Sequence, residues 1–206
     1  MNSKSTLIFG GSFDPVHIGH LIIARQVARK ISAERILLVP TCANPLKNPP
    51  VATNDQRLEM LKLAVARAPE FEITDIELRR TPPSFSIDTI EAICDDIPAP
   101  AMMVGADMIR DLHRWHRVDD LLSKADLIIA CRPPANSEKI RQSLLSLEGK
   151  IRTEHLEKLM ENVVETSLLE ISSSQIRDMI SQGISPEFYL PPAVVDYINQ
   201  NQIYRK

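Results

Sequence analysis

The sequence predicts an α/β fold built on a parallel sheet, and three observations carry that expectation. Short apolar runs alternate with helical patterns for most of the 206 residues, as strands joined by crossover helices do. The first run, Leu7-Ile8-Phe9, passes through Gly10-Gly11 into a helical pattern from Leu21 to Ile31. Near the other end, Leu168-Leu169-Glu170-Ile171 reads as a strand followed by serines able to start a helix. Ligands of open α/β sheets gather at the carboxyl ends of such strands.

The elements follow in order. Ile36-Leu37-Leu38-Val39 is a buried-strand pattern stopped by Pro40, and the proline- and asparagine-rich stretch 40–53 is a long loop. Asn54 or Asp55 caps the next helix, with Leu58, Leu61, Val65 and Ala68 as its apolar stripe. Phe71, Ile73, Ile76 and Leu78 suggest a strand with a slip in its alternation; a helix carrying Ile87, Ile90 and Ile93 comes after the 79–86 loop. Ala101-Met102-Met103-Val104 is a strand closed by Gly105, then a short helical stretch, a helix from Asp119 to Lys124, and an inner strand at Leu127-Ile128-Ile129-Ala130. The segment 132–161 is polar and variable in character, with helices near Glu138–Leu147 and Thr153–Met160 and no core strand. A helix from the serines runs to Gln182 with Gly183 as its stop, and the tail, Pro191 to Gln202, is amphipathic with Val194, Val195 and Ile198 inward.

Composition sets bounds. A hydrophobic content of 44% and a charged content of 25% are ordinary for a globular protein, and the length suits one domain over 1–206. A net charge of −3 disfavours a general nucleic-acid binder. Cys42, Cys94 and Cys131 are too widely spaced for a zinc or redox motif and fit a reducing compartment. No run is long enough for a bilayer span, and Met1 to Thr6 lead directly into a strand, so the expected setting is cytoplasmic without a membrane partner. The sequence contains no G-x-x-x-x-G-K-[ST], no G-x-G-x-x-G and no G-x-S-x-G.

The chemistry concentrates in Gly10-Gly11-Ser12-Phe13-Asp14-Pro15-Val16-His17-Ile18-Gly19-His20. Glycines let the backbone turn and approach a ligand, and His17 and His20 share one face of the first helical turn. Free N–H groups at a helix start attract anions, so the arrangement suggests a phosphate site. The plainer alternative is a capped helix start with two histidines lining a groove. Neither His17-x-x-His20 nor His113-x-x-His116 has a Cys, Asp or Glu partner at zinc-site spacing; His113 and His116 are taken as surface, and His155 lacks neighbours of interest.

H-x-G-H after G-x-F-D-P resembles the nucleotidyltransferase superfamily, and GGSFDPVHIGHL is most similar to nicotinate mononucleotide adenylyltransferases. The resemblance implies a Rossmann-like, doubly wound parallel sheet of nucleotidyltransferase type, with a C-terminal helical part over 171–206. It implies adenylyl transfer from ATP to nicotinate mononucleotide, giving deamido-NAD and pyrophosphate, with His17 and His20 as catalytic residues. ISSSQIR, at 171–177, is similar to the family's second signature, so Gly10, Gly11, Ser12, Phe13, Lys47, Ser172, Ser173 and Arg177 are implied to bind ATP and its phosphates. Gly105-Ala106-Asp107-Met108 with Trp115 resembles a segment in which Asp107 holds a ribose hydroxyl and Trp115 stacks on the pyridine ring. Ser84, Phe85, Ser86 and Thr89 resemble the loop and helix that present N–H groups to the nicotinate carboxylate.

The match has departures. Leu46 stands where histidine is usual, Phe85 and Ser86 where tyrosine and threonine are usual, and Pro83 near a common glycine. Arg57 sits beside the pocket as a helix arginine solvated by default, Arg132 is a weaker phosphate candidate, and Asp14 is either a turn residue or an orienter of His17 or water. No protein-held metal is expected; Mg²⁺ comes with ATP, held mostly by phosphates and water. Another acceptor (nicotinamide mononucleotide or phosphopantetheine) and a non-catalytic nucleotide-binding module remain alternatives. The oligomeric state stays open, a homo-oligomer included.

Overall fold

The computed structural model describes residues 5–42, 48–97, 99–132, 137–167 and 169–205. Six strands form one sheet in the order β3-β2-β1-β4-β5-β6: β1 (Thr6–Gly11), β2 (Arg35–Pro40), β3 (Phe71–Ile73), β4 (Ala101–Gly105), β5 (Asp126–Cys131) and β6 (Val163–Glu165). β1 and β4 are adjacent and parallel, with Leu7 opposite Ala101, although most of the first half of the chain separates them. β5 continues the parallel ladder, with Met103 opposite Ile128. This is the doubly wound order, whose reversal falls at β1 and β4. β2 and β5 are nearly continuous apolar runs, buried along Ile36–Pro40 and Leu127–Cys131, because helices cover both faces of such a sheet.

The helices are α1 (Ile18–Lys30), α2 (Asn54–Val65), α3 (Ser86–Ile93), α4 (Val118–Lys124), α5 (Ser137–Leu145), α6 (Thr153–Glu161), α7 (Ser173–Ser181) and α8 (Pro192–Gln200), with a 3-10 helix over Ala106–Arg114. Their apolar stripes fill the core: Ile87, Ile90 and Ile93 from α3, Leu121 and Leu122 from α4, Met60 and Leu61 from α2. In α8, Val194 and Ile198 are buried while Val195 is only partly so.

Several local expectations are corrected. The cap of α2 is Thr53: its hydroxyl accepts the Gln56 N–H at 3.2 Å, and Gln56 Oε1 accepts the Thr53 N–H at 2.9 Å, a complete capping box. β3 ends at Ile73 because Asp75 starts a turn, its carbonyl accepting from Leu78 N and its side chain pairing with Arg79 at 2.7 Å. Turn chemistry overrides the apolar alternation through Ile76 and Leu78. The strand expected over Leu168–Ile171 is absent from 169–171; the last strand among the described residues is instead β6, separated from α6 by Asn162 alone. Thr166 closes it, donating from N and Oγ1 to the Cys131 carbonyl at 2.8 and 3.2 Å. α7 begins after Ser172, as expected, and Gly183 follows it at φ +75°.

The chain separates into two compact units, both discontinuous in sequence. One comprises Met1–Gly10, Ile23–Leu37 and Phe85–Leu168, and the other Gly11–Ile22, Leu38–Ser84 and Leu169–Lys206. No helix among the described residues is long and apolar enough to cross a membrane.

Candidate active site

In the second unit the turn after β1 places Phe13 at φ +48° and buries its ring. That ring meets the His20 imidazole edge-on, with centroids 5.2 Å apart. His17 and His20 stack at 3.7 Å with their planes 22° apart. Each imidazole also answers the other's backbone: His17 N–H donates to His20 Nδ1 at 3.2 Å, and His20 N–H to His17 Nδ1 at 3.3 Å, the latter shared with His17 O at 3.0 Å. The pair works as a capping box made of imidazoles. An Nδ1 that accepts a hydrogen bond carries no proton, so these bonds assign the proton of both neutral rings to Nε2. His17 is 5% exposed, whereas His20 is partly exposed. The glycine between them is required by packing, since a Cβ on Gly19 would lie 2.9 Å from His17 Nδ1.

Asp14, three residues before His17, is the centre of a buried network. Its Oδ2 accepts Val51 N–H at 2.8 Å, and its Oδ1 accepts Ala52 N–H at 3.0 Å and the Tyr204 hydroxyl at 2.8 Å. Arg177 Nη1 donates to the Asp14 carbonyl at 2.7 Å and lies 3.5 Å from its Oδ2. Ser173 Oγ donates to the Pro15 carbonyl at 2.9 Å, tying the start of α7 to the same turn. Ser172 Oγ caps α7, accepting Gln175 N–H at 3.2 Å and donating to Gln175 Oε1 at 2.9 Å. Both serine hydroxyls are therefore committed to protein partners, and the N–H groups of the first turn of α7 are the donors its start can offer an anion.

Arg57 departs most from expectation. It is wholly buried rather than solvated: Nη1 donates to the Ser12 carbonyl at 2.6 Å and Nη2 to Asn54 Oδ1 at 2.7 Å. Burial pushes its pKa down, and the Asp14 charge pulls it back up. The side chain is a strut beneath the glycine turn. Tyr204 is pushed up, mainly by burial and then by Asp14, so its hydroxyl stays protonated as a donor. Lys47 and Leu46 lie outside the described residues.

The first unit holds most of the other set. Phe85 precedes α3 with no side-chain cap bond, and its ring stacks on His116 at 4.4 Å and 29°. Ser86 opens α3 and Thr89 is buried; Ser84, which belongs to the second unit and is 9% exposed, has a buried Oγ without a hydrogen-bond partner among the described residues. Asp107 is exposed in the first turn of the 3-10 helix, and Gly105 leaves room for its carboxylate, into which a Cβ would run. Trp115 ends that helix half-buried, its N–H donating to Leu112 O at 3.0 Å. The indole Nε1 and His113 Nδ1 are buried without a hydrogen-bond partner among the described residues. His113 is thus partly exposed with its Nδ1 turned inward, while His116 is exposed but stacked. His155, expected to lack neighbours of interest, is 8% exposed, with Nε2 3.4 Å from Ser123 Oγ and 3.9 Å from Asp119. Arg132 is exposed.

A family model described as cytidylyltransferase-like matches residues 8–179, from β1 through most of α7. The chain belongs to the cytidylyltransferase-like family. Its curated relatives include a "Probable nicotinate-nucleotide adenylyltransferase" of Pectobacterium atrosepticum, 34% identical and covering 97% of this chain and 98% of its own length. One of the same name from Yersinia pestis is 35% identical over 96% of this chain and 94% of its own. Among solved structures, a Plasmodium falciparum nicotinic acid mononucleotide adenylyltransferase complexed with NaAD superposes with a TM-score of 0.72 at 19% identity. That match covers 98% of this chain and 97% of the other, and it establishes the shared fold.

In this cytidylyltransferase-like chain, the residues gathered around the H-x-G-H turn are Ser12, Phe13, Asp14, His17, His20, Ser173 and Arg177, all in one unit. Tyr204 escaped sequence reasoning, and Arg57, expected beside the pocket, was expected to be solvated. Tyr204 lies 190 residues from its partner Asp14, and Arg57 looked like a surface helix residue. The apolar pattern flanking Arg57, with Met60 and Leu61 on the same buried side, was the available signal for the latter.

Proposed function

We propose that the chain, acting over 1–206 as one nucleotidyltransferase domain, transfers the adenylyl group of ATP to nicotinate mononucleotide. The products are deamido-NAD and pyrophosphate, a step of NAD synthesis, and alignment with relatives of that name over nearly the whole chain supports it. The observation that carries the mechanism is the reciprocal imidazole pair. With each Nδ1 holding a backbone N–H, the protonated Nε2 atoms are oriented as donors, and such donors stabilise charge on a phosphate in transition.

In this mechanism a phosphate oxygen of the mononucleotide attacks the α-phosphorus of ATP in line. The new P–O bond forms as the α–β bridging bond breaks, and pyrophosphate leaves with its electron pair. Positioning and charge stabilisation provide the rate. His20 contacts the phosphates and His17 backs it from the buried side; Arg177, Lys47, the Gly10–Phe13 backbone and the α7 start hold the outer phosphates. Asp107, Trp115, Ser84, Phe85, Ser86 and Thr89 take the mononucleotide, the α3 N–H groups facing its carboxylate.

Both carboxylate oxygens of Asp14 are engaged by protein donors. In this proposal the divalent cation is Mg²⁺ that enters with ATP, where it would neutralise phosphate charge. The test is isotopic. ATP labelled at the α-phosphorus should pass its label to a dinucleotide, and ATP labelled at the γ-phosphorus should yield labelled pyrophosphate in equal amount. Label released as inorganic phosphate would refute the reaction.

A further inference from the structure

We infer that Tyr204 is a positioning residue that acts through the Asp14 carboxylate to keep the Arg177 guanidinium available to phosphate. The inference rests on the reading that Arg177 holds the phosphates of ATP. Tyr204 is 8% exposed and Asp14 4%, so the 2.8 Å bond between them is shielded from water. The turn after α8 places Gln202 at φ +51° and Tyr204 at φ +65°. The left-handed region is unfavourable for non-glycine residues, and the structure bears that cost twice where the turn delivers the hydroxyl to Asp14.

The geometry shows what the hydroxyl does. Asp14 Oδ1 is held by two donors, Tyr204 and Ala52, while Oδ2 is held by Val51 and stands 3.5 Å from Arg177 Nη1. That nitrogen makes its short bond, 2.7 Å, to the Asp14 carbonyl instead. The carboxylate is thus turned toward Tyr204 and the 51–52 backbone, and its pairing with Arg177 is long. A carboxylate released from Tyr204 would lose one of its three bonds and rotate onto the nearest cation, since charge-assisted pairs close to 2.7–2.9 Å when free to do so. Arg177, 27% exposed along its side chain, would then be neutralised by Asp14 in competition with phosphate.

The experiment is a calorimetric titration of the full chain with MgATP, comparing wild type, Tyr204→Phe, Arg177→Ala and the double variant, with thermal melting in parallel. Tyr204→Phe keeps the ring and its volume. It should weaken MgATP binding about tenfold, as expected for one hydrogen bond to a charged group, and leave nicotinate mononucleotide affinity unchanged. In the Arg177→Ala background the same substitution should have no further effect, because the group it acts through is gone. Tyr204→Met, which also lacks the hydroxyl, should reproduce the weakening and serves if Tyr204→Phe does not fold. Additive losses in the double variant, or a lowered Tm with unchanged MgATP affinity, would overturn the inference. An Arg177→Ala variant that binds MgATP like wild type would overturn the phosphate reading and this inference with it.

Discussion

Around Asp14 and the two histidines, buried polar atoms are answered from within the protein: three donors on one carboxylate and two imidazoles closing each other's backbone. Arg57 Nε is the exception there. Around Trp115 the balance is reversed, with His113 Nδ1 and Trp115 Nε1 buried and unpartnered among the described residues. An unanswered buried polar group costs about 1–3 kcal/mol, so such atoms persist where a ligand relieves them or another demand outweighs them. Under the proposed function the contrast corresponds to different tasks. The histidine turn is preorganised, as charge stabilisation in a transition state would require. The tryptophan set would keep polar capacity in reserve for the proposed substrate.

Substitutions can break this contrast, the largest effect first. His20→Ala should lower kcat about 10²–10³-fold, the usual loss for one donor to a developing charge, with the KM for nicotinate mononucleotide near wild type. Turnover close to wild type would remove His20 from the chemistry. Arg57→Ala should cost about 3 kcal/mol in urea denaturation, because it empties a wholly buried side-chain site, leaves the Ser12 carbonyl without its donor and removes one of the two cations that act on the buried Asp14 charge, Arg177 remaining as the other. An unchanged midpoint would show that the strut carries no weight.

On the tryptophan side, Trp115→Ala should raise the mononucleotide KM about tenfold, the upper end for an aromatic stacking contact, and leave MgATP affinity alone. Trp115→Phe separates ring from N–H: a KM still well above wild type would assign a share to the orphaned indole donor. The smallest effect belongs to His116. Its alanine variant frees Phe85 at the head of α3 and should raise the mononucleotide KM about threefold, within the range of one aromatic pair, and His116→Phe should restore it. No rescue would mean that the stack does not position α3.

Much of the fold was legible because its signals are local. The β1–glycine–α1 passage, the buried runs of β2 and β5, and the Ser172 cap with Gly183 as stop all appear where periodicity and capping chemistry put them. β6 was not legible, being three residues long and defined by pairing with Ile129 to Cys131 rather than by its own pattern. The histidine pair could be read from spacing, but its bonding could not, since that depends on ring orientations set by Gly19 and Phe13. Tyr204 and the burial of Arg57 were hidden for a different reason. Each matters through a partner distant in sequence, and no local rule connects position 204 with position 14.

The most direct test of the central claim is the rate of pyrophosphate release from MgATP with nicotinate mononucleotide and nicotinamide mononucleotide side by side. A carboxylate received at the start of α3 predicts a kcat/KM for the acid well above that for the amide. Equal or reversed preference would contradict the assigned acceptor site, and no release with either would contradict the assigned reaction.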